Sequence, residues 1–324
     1  MKALLLAGGF GTRLRPLTLT RPKHLLPIAN RPHIEHVFDL LMAHGIDEIV
    51  LTTSYLAEAF DATKRSVAAR GLGLQVTHEE VALGTAGALK NAEAEVGEDT
   101  FMVFNGDVLT DVDLDLVLDF HRSNRAEATI LLTPVDDPSA FGVVPTDEHG
   151  RVLGFIEKPP RDEAPTNQIN AGVYVLEPSI LERIPAGEEW SVERSLFPEL
   201  VAGGGRVFAL STDAYWMDVG TPDKYLQANM DAISGRFSPR EGRAIAADAQ
   251  VAEDAQVVSS CIGAGARVET GAVVEGSVLL PGVTVAASAK VSGSILGERV
   301  QVGEGAEVSG ATVGDFEIVE RGGG

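Results

Sequence analysis

The sequence predicts an α/β domain on a mostly parallel sheet, followed by a parallel β-helix. Three observations carry this prediction. Up to about residue 233, short apolar runs alternate with segments of helical period, the pattern of parallel strands joined by crossover helices. Residues 234–243, Ser-Gly-Arg-Phe-Ser-Pro-Arg-Glu-Gly-Arg, have the composition of a linker. Beyond them apolar residues recur every 17 positions, as stacked coils require. The expected division is a first domain over 1–233, a linker over 234–243 and a coil domain over 244–324.

Ala3–Leu6 reads as a strand running into a glycine-rich loop. Ile34, Val37, Phe38 and Leu41 fall at helical spacing, and Gly45 is a stop signal. Strands follow at Glu48–Thr52, Gln75–His78 and Phe101–Phe104. Helices are expected near Leu56–Ala69, Thr85–Ala94 and Leu114–Ser123. Ligands of such sheets lie outside the carboxyl ends of the strands, so the loops after Leu6 and Phe104 should share one crevice. Thr221-Pro222 reads as a helix N-cap followed by a first-turn proline. In the coil domain three series run in phase: Ile245, Ile262, Leu279, Leu296 and Val313; Val251, Val268, Val285, Val302 and Val319; and Val257, Val274, Val291 and Val308. Ser260, Ser277 and Ser294 keep the same register. Each series predicts one inward-facing ladder of a three-sided coil.

Composition excludes several classes. At 324 residues and 44% apolar, the chain can bury more than one core. Its net charge of −21 argues against a global grip on nucleic acid or an anionic membrane. No apolar run approaches the roughly 18 residues of a membrane span. Met1–Ala7 imitates a signal peptide, but glycines and Arg13 soon follow. Cys261 is the only cysteine, so neither an internal disulfide nor a cysteine zinc site is expected. A soluble, cytoplasmic protein is the expectation. All seven histidines lie at or before His149, which disfavours a β-helix acyltransferase relying on a histidine base. The coils are expected to pack on the first domain or to pair subunits into a homo-oligomer.

Against the negative total, Met1 to Ile34 holds six basic residues (Lys2, Arg13, Arg15, Arg21, Lys23 and Arg31) and no acid. The loop Leu6-Ala7-Gly8-Gly9-Phe10-Gly11-Thr12-Arg13-Leu14 lets backbone N–H groups approach a phosphate chain. It is not a dinucleotide fingerprint, because Leu14 stands at the third glycine position. Nor is it a P-loop, because no Gly-Lys-Ser/Thr occurs. Arg13 in the turn and Lys23 ten residues on suit a triphosphate that must lose pyrophosphate; surface salt bridges are the alternative. Asp107 ends a buried strand and is a natural Mg²⁺ ligand. Asp218, in Trp216-Met217-Asp218-Val219-Gly220, is a second, the alternative being a buried acid paired with a nearby base. Asp111, Asp113 and Asp115 should start the next helix and face water. Glu157 and Asn170 suit sugar hydroxyls, and Lys158 suits a phosphate.

Together these stretches resemble the sugar-phosphate nucleotidyltransferases, the NDP-sugar pyrophosphorylases. The match runs through Leu6–Thr18, Pro22-Lys23, Gly84-Thr85-Ala86, Gly106-Asp107, Phe141-Gly142-Val143-Val144, Glu157-Lys158-Pro159, Asn170-Ala171-Gly172 and Trp216–Gly220, in order, over roughly residues 1–235. The resemblance implies a Rossmann-like sheet and a left-handed β-helix tail. Among the branches, the mannose-1-phosphate guanylyltransferases are most similar, on Ile169–Tyr174 and Ser191-Val192-Glu193-Arg194. It further implies that Leu6, Ala7, Gly8, Gly9, Gly11 and Thr12 cradle the nucleotide. Arg13 and Lys23 would hold its β- and γ-phosphates, and Glu79, Gly84, Thr85 and Gly106 would lie around the rest of it. Asp107 and Asp218 would hold Mg²⁺. Lys158 would contact the sugar phosphate, and Gly142, Glu157, Asn170 and Gly172 would form the sugar pocket. Ala82 replaces a proline common in the family before the Gly84-Thr85 pair.

Glu79 bears on the base. A carboxylate only accepts hydrogen bonds, and guanine presents two adjacent donors, so GTP is favoured. The implied reaction is NTP plus hexose 1-phosphate giving NDP-sugar and pyrophosphate, with GTP, mannose 1-phosphate and GDP-mannose as the best fit. The alternatives are a glucose-1-phosphate thymidylyl- or uridylyltransferase and a non-catalytic homologue that binds an NDP-sugar.

Overall fold

The computed structural model describes residues 1–79, 81–237 and 242–322; the expected linker falls partly on 238–241, outside the described residues. In chain order the strands are β1 (Ala3–Leu6), β2 (Pro27–Ile28), β3 (Arg31–Pro32), β4 (Glu48–Thr53), β5 (Gly73–His78), β6 (Phe101–Asn105), β7 (Val108–Thr110), β8 (Ala128–Pro134), β9 (Gly142–Val143), β10 (Ile156–Glu157), β11 (Gln168–Leu176), β12 (Val207–Ser211) and β13 (Trp216–Asp218). The helices are α1 (His33–Ala43), α2 (Asp61–Ala68), α3 (Gly84–Asn91), α4 (Glu93–Val96), α5 (Leu114–Ser123), α6 (Phe197–Ala202) and α7 (Pro222–Ser234). Two expected helices are shorter than their sequence patterns. A 3₁₀ turn at Ala57–Phe60 precedes α2, and the helix expected through residue 94 breaks at Ala92 into α3 and α4.

By their contacts the residues form two compact units, Met1–Gly9 with Phe38–Trp216, and Phe10–Val37 with Met217–Gly324. In the first, a nine-stranded sheet runs β10-β9-β11-β6-β1-β4-β5, with β8 beside β11 and β12 beside β8. The run β6-β1-β4-β5 is parallel throughout. Leu4, Val50, Val103, Tyr174 and Phe197 belong to one buried core with Leu89 of α3 and Leu200 of α6. Strand β11 runs antiparallel to both β6 and β8, and its register shifts between Asn170 and Tyr174.

In the second unit the 17-residue coils stack as the sequence predicts. Val251, Val268, Val285, Val302 and Val319 are successive partners in one parallel sheet. Val257, Val274, Val291 and Val308 pair in another. Ile245 bridges Ile262, which heads the third ladder through Leu279, Leu296 and Val313. Three parallel sheets around one apolar core match the β-helix of the family resemblance.

The buried serines explain their shared register. Ser260 Oγ accepts the N–H of Ser277 at 3.1 Å, Ser277 Oγ that of Ser294 at 3.1 Å, and Ser294 Oγ that of Ala311 at 3.1 Å. Each hydroxyl also donates to a carbonyl of its own coil, as Ser277 does to Glu275 at 2.7 Å. A buried corner amide therefore depends on each serine. Ser277→Ala should leave the Ser294 N–H unpaired and cost about 1–3 kcal/mol, measured by urea unfolding; an unchanged midpoint would remove this role.

Candidate active site

In the first unit the parallel strands bring the glycine loop and the Asp107 turn to one end. Leu6 is in register with Thr52 of β4 and Asn105 of β6. The Ala7 N–H donates to Thr52 O at 2.9 Å, and the Gly106 N–H to Leu6 O at 2.9 Å. The two loops thus leave neighbouring strands side by side, as expected. Ser54, just past β4, donates its hydroxyl to Gly8 O at 2.8 Å and fixes the loop. Gly9 is exposed and Asp107 half-buried.

Glu79 follows β5 and is only 5% exposed. Its N–H donates to Thr53 O at 2.9 Å, and its Oε2 accepts the Leu83 N–H at 3.1 Å. Oε1 is buried without a hydrogen-bond partner among the described residues. A Cβ added to Gly8 would lie 3.9 Å from it. Burial raises the Glu79 pKa, partly offset by the Leu83 N–H and by the nearby His78. A buried acceptor beside a glycine floor needs a donor, and a ligand can supply it.

Gly84 opens α3 at φ +71°, where a Cβ would strike Trp190 O at 2.7 Å. The Thr85 hydroxyl donates to Glu193 Oε2 at 2.9 Å and accepts the Val192 N–H at 2.8 Å. Its exchangeable proton is therefore engaged in tying α3 to the π-helical turn Val192–Leu196 that precedes α6.

The expected sugar residues form a second group in this unit. Gly142 pairs with Glu157 between β9 and β10, and a Cβ on Gly142 would lie 2.5 Å from the Phe155 ring. Lys158 Nζ is 3.4 Å and Arg194 Nη2 4.0 Å from Glu157 Oε1. Asn170 donates to Tyr174 Oη at 2.7 Å and accepts the Gly172 N–H at 2.9 Å, so its amide braces the irregular part of β11. Gly172, at φ +73°, leaves room for the Asn105 side chain, whose Nδ2 would be 2.7 Å from an added Cβ. Trp216 Nε1 donates to Ala171 O at 2.9 Å, and its ring meets Phe141 edge-on at 5.6 Å.

The second unit carries Arg13 and Lys23. Gly11 has φ +60° and starts a 3₁₀ turn, Thr12–Leu14. Thr18 Oγ1 donates to Gly11 O at 2.8 Å. A Cβ on Gly11 would meet Lys23 Cβ at 3.1 Å, so Lys23 packs on the turn that bears Arg13. The Arg13 guanidinium lies over Gly220, where an added Cβ would be 2.7 Å from Nη2 and 2.9 Å from Asp218 Oδ1. Lys224 Nζ is 3.6 Å from Asp218 Oδ2. Thr221 caps α7 by accepting the Lys224 N–H at 3.4 Å, with Pro222 in the first turn, as predicted. Arg13, Lys224 and Asp218 thus converge beside a glycine whose missing side chain lets the guanidinium come close.

A family model described as nucleotidyl transferase matches residues 2–235, and one described as the GMPPB C-terminal domain matches 241–319. The chain belongs to the nucleotidyl transferase family. A mannose-1-phosphate guanylyltransferase of Mycobacterium tuberculosis is 47% identical over 234 residues, 72% of this chain and 65% of that protein. A UTP–glucose-1-phosphate uridylyltransferase of Synechocystis is 38% identical over 72% of this chain and 64% of its own length. The chain therefore aligns with slightly less than two thirds of either relative. Among solved structures, HddC from Yersinia pseudotuberculosis complexed with GMP-PN has a TM-score of 0.61 at 29% identity, covering 70% of this chain and 97% of that one. A putative glucose-1-phosphate thymidylyltransferase from Bacillus anthracis has a TM-score of 0.64 at 27% identity, covering 71% of this chain and 94% of that one.

Sequence reasoning overlooked Ser54, Lys224 and Gly220. Lys224 carried a signal: it lies in the first turn of the helix capped by Thr221. Gly220 was visible only as part of a motif, because nothing local shows that Arg13 lies over it. Asp107 and Asp218 are hard oxygen donors, the chemistry suited to a divalent cation, and Asp218 Oδ1 lies beside Gly220, where the absence of a Cβ leaves the carboxylate and the Arg13 guanidinium room to approach. A different acidic group, His44, Asp113 and Asp115, brings three ligand atoms within 4.8 Å. There Asp113 accepts the Asp115 N–H at 3.0 Å and caps α5, and His44 Nε2 accepts the Leu114 N–H at 3.3 Å. Asp111, Asp113 and Asp115 are exposed around the start of α5, as expected. Among the described residues no helix is long and apolar enough to cross a membrane.

Proposed function

We propose that this chain transfers a guanylyl group from GTP to mannose 1-phosphate, giving GDP-mannose and pyrophosphate. The observation that carries the reading is Glu79, a buried carboxylate beside the glycine loop with one oxygen that has no hydrogen-bond partner among the described residues. Two carboxylate oxygens match the paired N1–H and N2–H donors of guanine, whereas uracil and thymine offer one donor between two acceptors. The name of the M. tuberculosis relative supports the same pairing of substrates.

A phosphate oxygen of the sugar attacks the α-phosphorus in line, and pyrophosphate leaves. A sugar phosphate is already ionised near neutral pH, so neither a strong base nor a covalent enzyme intermediate is required. Two anions must approach, and alignment with charge neutralisation supplies the catalysis. Gly8, Gly9 and Gly11 receive the nucleotide through their backbone. Arg13 and Lys23 draw on the β- and γ-phosphates and stabilise the leaving pyrophosphate. Lys158, with Arg194 near the same carboxylate, receives the sugar phosphate, and Glu157 accepts from sugar hydroxyls. Asp107 and Asp218 are the residues that would hold Mg²⁺, which neutralises phosphate charge when bound. We assign this chemistry to residues 1–233.

A matrix of GTP, UTP, dTTP and ATP against mannose and glucose 1-phosphates with Mg²⁺, read by pyrophosphate release, tests the reading. The highest kcat/KM is expected for GTP with mannose 1-phosphate. A preference for UTP or dTTP with glucose 1-phosphate would replace it with the uridylyl- or thymidylyltransferase reading. No release from any pair would leave a binding homologue.

A further inference from the structure

The segment bearing Arg13 and Lys23 is fastened to the β-helix, in the same compact unit, by contacts that its phosphate chemistry does not require. Arg21 Nη2 lies 2.6 Å from Asp315 Oδ2 and 2.9 Å from Glu298 Oε2. The Thr20 hydroxyl also donates to Asp315 Oδ2. Asp315 is itself fixed, since its Oδ1 accepts the Glu298 N–H at 2.7 Å and its side chain is only 3% exposed. Beside it, Gly314 approaches Pro16 so closely that an added Cβ would lie 3.2 Å from the proline Cβ. Further along, Asn30 Nδ2 donates to Arg243 O at 2.9 Å and to Ile262 O at 2.9 Å, and Tyr225 donates to Pro27 O at 2.6 Å. The segment is therefore held before and after Lys23.

We propose that Asp315 and Arg21 are positioning residues. The pair fixes the strap Gly11–Lys23 on the β-helix, so that Arg13 and Lys23 are preset for the phosphates. The route is short. Arg21 is two residues from Lys23, Lys23 packs on Gly11, and Thr18 bonds Gly11 O. The β-helix is built from backbone ladders that repeat every coil, which makes it a stiff support. A side chain buried as deeply as Asp315 and bonded on both oxygens transmits that stiffness better than an exposed ion pair, which is worth little. Displacing a reacting group by about 1 Å can cost about 100-fold, so a partly loosened strap is expected to cost about 10-fold.

This inference rests on the proposed transferase activity, and its test has a readout that does not. In the full-length chain, Asp315→Asn and Arg21→Gln should each lower kcat about 10-fold with a smaller change in the KM for sugar phosphate. Amide hydrogen exchange of residues 11–23 should accelerate in the free protein, while the coils keep their protection. The double variant should be no worse than either single one, and Arg21→Lys should retain part of the activity. Unchanged exchange over 11–23 in both single variants would overturn the proposal whatever reaction the chain performs. Faster exchange with unchanged kcat would overturn the catalytic role of the strap's attachment. Should Asp315→Asn unfold the last coil, Arg21→Gln leaves the β-helix sequence intact and decides alone.

Discussion

Arg13→Ala is expected to lower kcat about 100-fold, equivalent to about 3 kcal/mol of lost transition-state stabilisation, while thermal unfolding stays close to that of the parent chain. The guanidinium is exposed and lies over Gly220 beside Asp218. On the proposed reaction, truncating it removes charge from the place where pyrophosphate would develop, at an exposed position. Asp107→Ala should give a loss of similar size, because it removes a half-buried carboxylate that follows β6 in the turn beside the glycine loop, where the Gly106 N–H bonds Leu6 O. Steady-state kinetics with GTP and mannose 1-phosphate, alongside circular dichroism, check both. Parent-like rates in either variant would remove that residue from the chemistry.

Glu79→Gln should lower kcat/KM for GTP about 10- to 100-fold, the scale of a lost hydrogen bond to a charged group, and lower it much less for UTP or dTTP. A glutamine amide offers one acceptor and one donor group, so it opposes the guanine N2 amine and suits a pyrimidine edge. The pH dependence gives a second arm. Burial raises the Glu79 pKa, so the carboxylate protonates at a higher pH than the roughly 4.3 of a solvated glutamate. Above that pKa it is ionised and accepts at both oxygens; as the pH falls through it, the acceptor pair is lost. The KM for GTP should therefore rise on the acid side before ordinary carboxylates titrate, and this limb should vanish in Glu79→Gln. Equal losses across nucleotides, or an acid limb that survives the substitution, would remove Glu79 from base selection.

Much of the architecture was legible because it is periodic. The three ladders through Ile262, Val268 and Val274 follow from a repeat that stacked coils satisfy, and their partners pair at that spacing. The strands at Ala3–Leu6 and Phe101–Asn105 could be placed because each is a short apolar run stopped by glycine or a turn. Strand β11 was harder. Its apolar run is interrupted at Asn170-Ala171-Gly172, and nothing local says that it runs antiparallel to β6, β8 and β9. Direction is set by where the chain returns, which is a property of the whole sheet.

For the site, the sequence by itself determined the kinds of group: glycines for close approach, cations at 13 and 23, and carboxylates at 79, 107 and 218. Only the tertiary structure decided their states. It engaged the Thr85 hydroxyl with Glu193 and turned Asn170 toward Tyr174. It left Glu79 Oε1 without a partner among the described residues, and it seated Arg21 on Asp315, 294 positions away. The physical reason is that residue type fixes what a side chain can donate, accept or neutralise. Whether that capacity is already satisfied depends on neighbours brought together by folding from distant parts of the chain.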